Sequence, residues 1–335
     1  MQSLNSLRPV DRITKALKNA KALQEHTNAF VIFQDEQVLE KQVIECEERF
    51  MKKKEKSAID GLPFGIKDNF CTKNLRTTCC SKMLESFVPK YNATVVERTE
   101  NAGGIVLGKT NMDEFGMGSG TVDSIFGPVK SLWRSGIVPY KLNELPALNR
   151  SDFTIRTDAL QHGDFCIAGG SSGGSAMAVS SGVCFAALGS DTGGSLRIPG
   201  AWSGLPTLKP SYGLLSRHGL IPLVNSLDVP GIFARNFDDL RIYFDILKAG
   251  QVDDPLDSTS IHYSTIDSTN SDNENLESQL VIGIPQEYYC EDMSNEIVEA
   301  WSQVADMLEN ERFKVVPVSL PHTKYSISCY QVKKI

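Results

Sequence analysis

No stretch of this 335-residue chain approaches the roughly 18 consecutive apolar residues of a membrane-spanning helix, so no membrane partner is expected. No Cys-x-x-Cys pair occurs. Cys79 and Cys80 are adjacent, and Cys46, Cys71, Cys166, Cys184, Cys290 and Cys329 are scattered. That spacing excludes a compact disulfide framework and a zinc signature, and it favours reduced thiols in an intracellular compartment. No Gly-Lys-Ser/Thr follows the Gly/Ser run at 169–175 to make it a phosphate cradle, and the dinucleotide G-x-G-x-x-G is missing, so no ATP site and no cofactor is expected in the chain itself. Basic residues are not in excess. The net charge of −7 argues against a general phosphate-binding surface, though not against a nucleic acid held by a partner protein. The first residues lack an apolar secretory core. Arg8 and Arg12, with two serines and no acid before Asp11, are compatible with an organelle-targeting start and equally with an ordinary first helix.

What is present reads as an α/β protein of one large domain over 1–335. Ile13, Ala16, Leu17, Ala20 and Leu23 form a helical stripe within 11–25. Residues 36–56 predict a second, highly charged helix. Gly61 to Ile66 predicts a buried strand ending at Lys67. A helix over 93–102 stops at Gly103-Gly104, and Ile105 to Leu107 begins another strand. Cys166 to Ala168 predicts a short strand running into a Gly/Ser loop, followed by a buried small-residue helix over 175–183. Val281 to Ile284, a helix over 295–309 and Lys314 to Val318 close the pattern. Alternating strands and helices imply a largely parallel, twisted sheet covered by helices on both faces. Two stretches break it: 129–163, and 251–279 with seven acids and no Lys or Arg. Both read as surface insertions.

Three short elements carry chemistry. Gly189-Ser190-Asp191-Thr192-Gly193-Gly194-Ser195 follows a small-residue strand with a turn whose N–H groups can converge on one point, as an oxyanion hole requires. Ser195 ends that turn in the place of a nucleophile, and a serine hydroxyl needs a base. Lys67, at the end of an apolar strand, is expected to be desolvated, with a lowered pKa and a neutral amine that can serve as that base. Ser171, within Gly169-Gly170-Ser171-Ser172-Gly173-Gly174-Ser175, can relay the proton, because a hydroxyl both donates and accepts. A lone lysine is usually a solvated surface residue, and a Gly/Ser run is usually a loop. It is the combination that is specific.

That combination resembles the amidase signature family. GGSSGGSAMAVSSGVCFAALGSDTGGSLR at 169–197 carries the signature, the 24-residue separation of Ser171 and Ser195 is the family's, and IKDN at 66–69 matches its lysine motif. The resemblance implies Ser195 as acyl-forming nucleophile, Ser171 as bridging serine after a cis peptide bond, and Lys67 as ultimate base. Thr192, Gly193 and Gly194 would supply the oxyanion hole. Gly118, Ser119, Gly120 and Tyr330 would contact substrate, and no metal is implied. LGKTNMDEFGMGSGT at 107–121, KPSYGLLSRHGLIPLVNSLDVPG at 209–231, GIPQEYY at 283–289 and VSLPHTKYS at 318–326 are similar to the glutamine-hydrolysing members of mitochondrial type. Such members work with subunits B and C in a heterotrimer of the mitochondrial matrix. There the partner subunit uses ATP and Mg to amidate Glu-tRNA(Gln). Gly204-Leu205-Pro206-Thr207 departs from the usual Gly-x-x-Gly turn, and Gly116 replaces a common Ala; neither is expected to touch the triad. The resemblance also implies a further C-terminal portion beyond residue 335 that holds the amino-acid end of the substrate.

Two other readings stay open on the residues. Gly169 to Gly173 also fits G-x-S-x-G, the nucleophile elbow of α/β-hydrolase esterases, with Ser171 as nucleophile and His218, His262 or His322 downstream. Alternatively the chain is a non-catalytic, shortened form needed only for assembly.

Overall fold

The computed structural model describes residues 8–132, 165–248, 254–260 and 280–334, with two short backbone segments inside 133–164. Contacts between residues divide the chain into two compact units, Met1–Tyr263 and Ser264–Ile335.

In the first unit, α1 (Pro9–Thr27) buries Ile13, Ala16, Ala20 and Leu23 of the stripe read from the sequence, with Leu17 only partly buried against the same cluster. Asn28 caps it in left-handed conformation, and its amide donates to the carbonyls of Phe126, Gly127 and Pro128. After β1 (Phe30–Phe33), Asp35 caps α2 (Glu36–Met51) by accepting from the N–H groups of Gln37 and Val38. This helix is shorter than expected. Lys53 turns left-handed (φ 51°), which brings the Lys56 N–H to Asp60 Oδ2 at 2.8 Å. Then come β2 (Pro63–Lys67), α3 (Thr94–Asn101) and β3 (Ile105–Thr110). Two-residue strands β4 (Ile137–Val138) and β5 (Thr154–Ile155) pair antiparallel. The chain continues through α4 (Gly173–Ser180), β6 (Ala186–Asp191), α5 (Arg197–Trp202), β7 (Thr207–Leu208), β8 (Val229–Ala234) and α6 (Phe237–Lys248).

The α/β class holds. One six-stranded mixed sheet runs β1-β3-β2-β6-β8-β7. Its centre, β3–β2–β6, is parallel; β1, β8 and β7 add on in antiparallel sense. β2, β3, β6 and β8 are buried at every residue. One apolar cluster joins α1 and α4 to the sheet; the other joins α3 and α6 to it through Val95, Phe64, Ile232 and Tyr243. Two faces covered by helices explain why the central strands read as apolar runs rather than alternations.

Three expectations need correction. Cys166 to Ala168 forms no strand; a single bridge, Ile167 to Lys130, replaces it, because the chain turns away at Gly169-Gly170. Residues 129–132 are not all surface, since Val129 and Leu132 belong to the core; most of 133–163 lies outside the described residues. Within 251–279 only 254–260 are described. There Asp257 is buried and accepts the Arg217 N–H at 2.7 Å.

The second unit contains β9 (Val281–Pro285), α7 (Asn295–Asn310), β10 (Lys314–Val318) and α8 (Ser326–Lys334). Its parallel pair β9–β10 is a two-stranded sheet of its own.

Candidate active site

Lys67 and Ser171 meet through their side chains between the C-terminal end of β2 and the start of α4, and the Ser195 segment, which follows β6, is joined to the Ser171 segment through the backbone. β2 places Lys67 between the sheet's two parallel neighbours, and its side chain is wholly buried. Lys67 Nζ donates to Ser171 Oγ at 2.8 Å, to Ser190 Oγ at 2.9 Å and to the Ser190 carbonyl at 3.4 Å. Burial lowers its pKa to about 8, against the opposing pull of the Asp113, Asp191 and Asp228 carboxylates. Desolvation was the cause expected from the apolar strand, and it dominates here.

Ser171 precedes α4, and the Gly170–Ser171 peptide bond is cis. The Ser172 N–H donates to the Ser195 carbonyl at 3.2 Å, which ties the two serine segments together. Ser171 and Ser195 are both buried. Ser171 Oγ has Lys67 as its one hydrogen-bond partner among the described residues, and Ser195 Oγ has none. The Ser195 hydroxyl is therefore not committed to the protein.

The 192–195 turn is ordered by a residue not singled out from the sequence. Asp191, at the end of β6, accepts from the Gly194 N–H at 2.9 Å, the Leu196 N–H at 3.0 Å and the Arg197 guanidinium at 2.9 and 3.1 Å. Burial raises its carboxyl, but Arg197 and these N–H groups outweigh it, so Asp191 is held below the usual carboxylate range. This changes one assignment: the Gly194 N–H is engaged by Asp191 rather than open to an oxyanion. The N–H groups of Thr192, Gly193 and Ser195 have no protein acceptor among the described residues. Gly194 matters by its conformation instead (φ 132°), a region closed to most side chains. Thr192 Oγ1 donates to Asp228 Oδ1 at 2.5 Å, and Asp228 accepts the N–H groups of Leu223 and Val224.

Gly118 and Gly120 lie in a loop wrapped around Asp113, which is fully buried and accepts from the N–H groups of Thr121, Val122 and Asp123. A Cβ on Gly170 would meet the Gly120 N–H at 2.8 Å, so this loop lies directly against the Ser171 segment. Ser119, between them, is exposed. Gly116 also touches the site, against expectation: a Cβ there would stand 3.5 Å from Ser171 Oγ. Tyr330 lies half-buried on α8 in the second unit. Asn69, within the IKDN motif, donates to Ser190 Oγ at 2.9 Å. Neither Asn69 nor Ser190 was assigned a role, although both stood inside quoted motifs.

The elbow reading requires a histidine on Ser171. None of the described histidines bonds to it, and the ring of His218 packs tilted against Tyr91, with centroids 5.2 Å apart. His262 falls outside the described residues. Among the described residues no group of His, Cys, Asp and Glu is arranged to hold a metal.

Comparison with known families matches the amidase family over residues 11–139 and 163–333. This chain belongs to the amidase family. It is 48% identical over 330 residues to the A subunit of the mitochondrial glutamyl-tRNA(Gln) amidotransferase of Aedes aegypti, covering 98% of this chain and 61% of that protein. The same mitochondrial protein of Xenopus tropicalis is 46% identical, with 98% of this chain and 60% of that protein covered. Among solved structures, the A subunit of glutamyl-tRNA(Gln) amidotransferase from Thermotoga maritima superimposes with a TM-score of 0.73 at 30% identity, covering 98% of this chain and 65% of that one. The chain thus spans about three-fifths of the length of the curated relatives it matches.

Proposed function

We propose that this chain carries the amide-cleaving site of a glutamyl-tRNA(Gln) amidotransferase, as its A subunit, with glutamine as amide donor. The observation that carries the reading is the wholly buried Lys67, its amine 2.8 Å from Ser171 Oγ and its pKa lowered to about 8. A lysine kept out of water and bonded to a serine is placed for proton transfer, not for solubility. Neutral Lys67 takes the Ser171 proton as Ser171 takes the proton of Ser195. Ser195 Oγ then attacks the carboxamide carbon, and the open N–H groups of Thr192, Gly193 and Ser195 receive the oxyanion. The proton returns through Ser171 to the leaving nitrogen, ammonia departs, and water releases glutamate from the acyl-enzyme.

The relatives' names support a wider reading. The chain works with subunits B and C in the mitochondrial matrix, and the ammonia converts Glu-tRNA(Gln) to Gln-tRNA(Gln). ATP, Mg and the tRNA are then handled by the partner subunit, consistent with a net-acidic chain whose Gly108-Lys109-Thr110 lies buried within β3, with Lys109 bonded to Phe70 and Thr77, rather than in a loop open to phosphate. The test is covalent labelling by an acylating amide analogue in the complete complex. Ser195→Ala should abolish labelling, whereas Ser171→Ala should only slow it. Labelling that survives in Ser195→Ala and disappears in Ser171→Ala would move the nucleophile to Ser171. No labelling of the natural protein would favour a role in assembly alone.

A further inference from the structure

Three oxygens surround Lys67 Nζ, and their chemistry decides where its lone pair points. An ammonium has three N–H donors and serves all three oxygens; a neutral amine has two donors and one lone pair. To act on Ser171, that lone pair must face the Ser171 hydroxyl at 2.8 Å. The two N–H groups then need acceptors elsewhere, and both remaining oxygens belong to Ser190.

Ser190 is placed by the sheet for this task. The pairing of β6 with β2 stops at Leu188, so the Ser190 backbone is unclaimed on the side of Lys67. On the other side its register partner is Pro230, which has no N–H to give. The Ser190 carbonyl accepts instead from Lys67 and from Ser172 Oγ at 3.1 Å. The Ser190 hydroxyl faces two N–H donors, Lys67 Nζ and Asn69 Nδ2, each at 2.9 Å. With both lone pairs filled, its own proton points away from the lysine. Ser171 is then the one neighbour that can present a proton to the lysine lone pair. Ser190 and Asn69 are themselves buried, so water does not compete for these bonds.

We propose that Ser190 is a positioning residue: its carbonyl and hydroxyl take the two N–H groups of neutral Lys67 and aim the lone pair at Ser171, while Asn69 holds the Ser190 hydroxyl as an acceptor. The assignment rests on the reading of Lys67 as base. In the step it prepares, the Ser171 O–H bond breaks and a Lys67 N–H bond forms. The Ser195 proton moves to Ser171 as the Ser195 oxygen bonds to the carbonyl carbon, and the carbonyl π pair becomes the oxyanion.

The experiment compares Ser190→Ala, Ser190→Thr and Asn69→Ala in the assembled complex, reading single-turnover acylation of Ser195 by glutamine together with KM. Ser190→Ala should slow acylation about 10²-fold, within the range of general-base effects, with KM unchanged. Labelling should still reach completion, because the nucleophile is intact. Ser190→Thr, which keeps the hydroxyl, should recover most of the rate. Ser190→Ala acylating as fast as the natural enzyme, or Ser190→Thr no better than Ser190→Ala, overturns the assignment while leaving the proposed function standing. If Ser190→Ala does not fold, Asn69→Ala decides: a loss of about tenfold or more at constant KM supports the role, and an unchanged rate overturns it. A natural enzyme that never acylates Ser195 overturns both readings together.

Discussion

Lys109 Nζ stands 3.4 Å from Asp68 Oδ1, and neither side chain is exposed to solvent. The pair lies immediately beside the candidate site, since β3 sets Lys109 against Ile66 and Thr110 against Lys67. Lys109 also donates to the Phe70 carbonyl and to Thr77 Oγ1, each at 2.7 Å. Asp68 Oδ2 accepts from Thr78 and Cys80, but Oδ1 makes no hydrogen bond, so the ion pair is its one compensation. Burial lowers the Lys109 pKa, and Asp68 opposes the shift.

Lys109→Met therefore leaves a buried carboxylate oxygen without its counter-charge. Breaking a buried pair in this way costs about 3–5 kcal/mol. Denaturant unfolding should show a loss of that order in Lys109→Met, far more than in Lys21→Met, whose partner Glu36 lies at an exposed site. Equal losses would mean that water or another donor reaches Asp68.

Gly170 and Gly204 should respond to alanine in opposite ways. At Gly170 a Cβ would come within 2.3 Å of Asp113 Oδ2 and 2.6 Å of the Thr121 N–H. Both groups belong to the buried loop anchor, and neither can withdraw without breaking the bonds that order 121–123. Gly170→Ala should lose at least about 10²-fold in amide cleavage, the scale on which small misplacements act. At Gly204 nothing lies within 4 Å, and φ is 62°. Gly204→Ala should cost only about 1 kcal/mol of left-handed backbone strain, with activity kept. Rates and melting temperatures for the two variants check the contrast, and a fully active Gly170→Ala would show that the loop can move.

The same residues show what sequence can and cannot reveal. The α1 stripe, the apolar β2 and the spacing of Ser171 and Ser195 are local or periodic signals, so their helix, strand and motif were legible. Lys67 could be suspected of burial because an apolar strand leads into it. The Asp68–Lys109 pair was not legible, because the register of β2 on β3 brings together residues 41 positions apart. Ser190 was hidden for a similar reason. Its role depends on where the β2–β6 ladder stops and on a proline opposite, neither of which is a property of the segment itself. Gly116 was set aside as a harmless departure, yet the turn carries it to Ser171. Asp191 stood in plain view inside a quoted motif, but its engagement of the Gly194 N–H is a fact of three-dimensional turn geometry.

The lowered pKa of Lys67 has opposite consequences for rate and for stability. With a value of about 8, Lys67 is about one-tenth neutral at pH 7 and mostly neutral at pH 9. Single-turnover acylation should therefore rise close to tenfold from pH 7 to 9 and then level, a limb that Lys67→Arg, permanently protonated, cannot show. For stability, the folded value lies below the ordinary 10.5, so between about pH 8 and 10.5 the unfolded chain binds more protons than the folded one. This group's unfavourable contribution is complete below about pH 8 and fades as pH rises through that window. A shift of this size corresponds to about 3 kcal/mol. Lys67→Met removes the charge, at the expense of leaving Ser171 without its donor and Ser190 with only Asn69 and Ser172. The variant should be inactive, and its stability relative to the natural protein should be highest near pH 7 and decline toward pH 10. Denaturant titrations of both proteins at pH 7 and pH 9.5 measure that difference directly. A stability gap independent of pH, or a rate flat from pH 7 to 9, would mean that Lys67 is not poised near neutrality and that some other group takes the Ser171 proton.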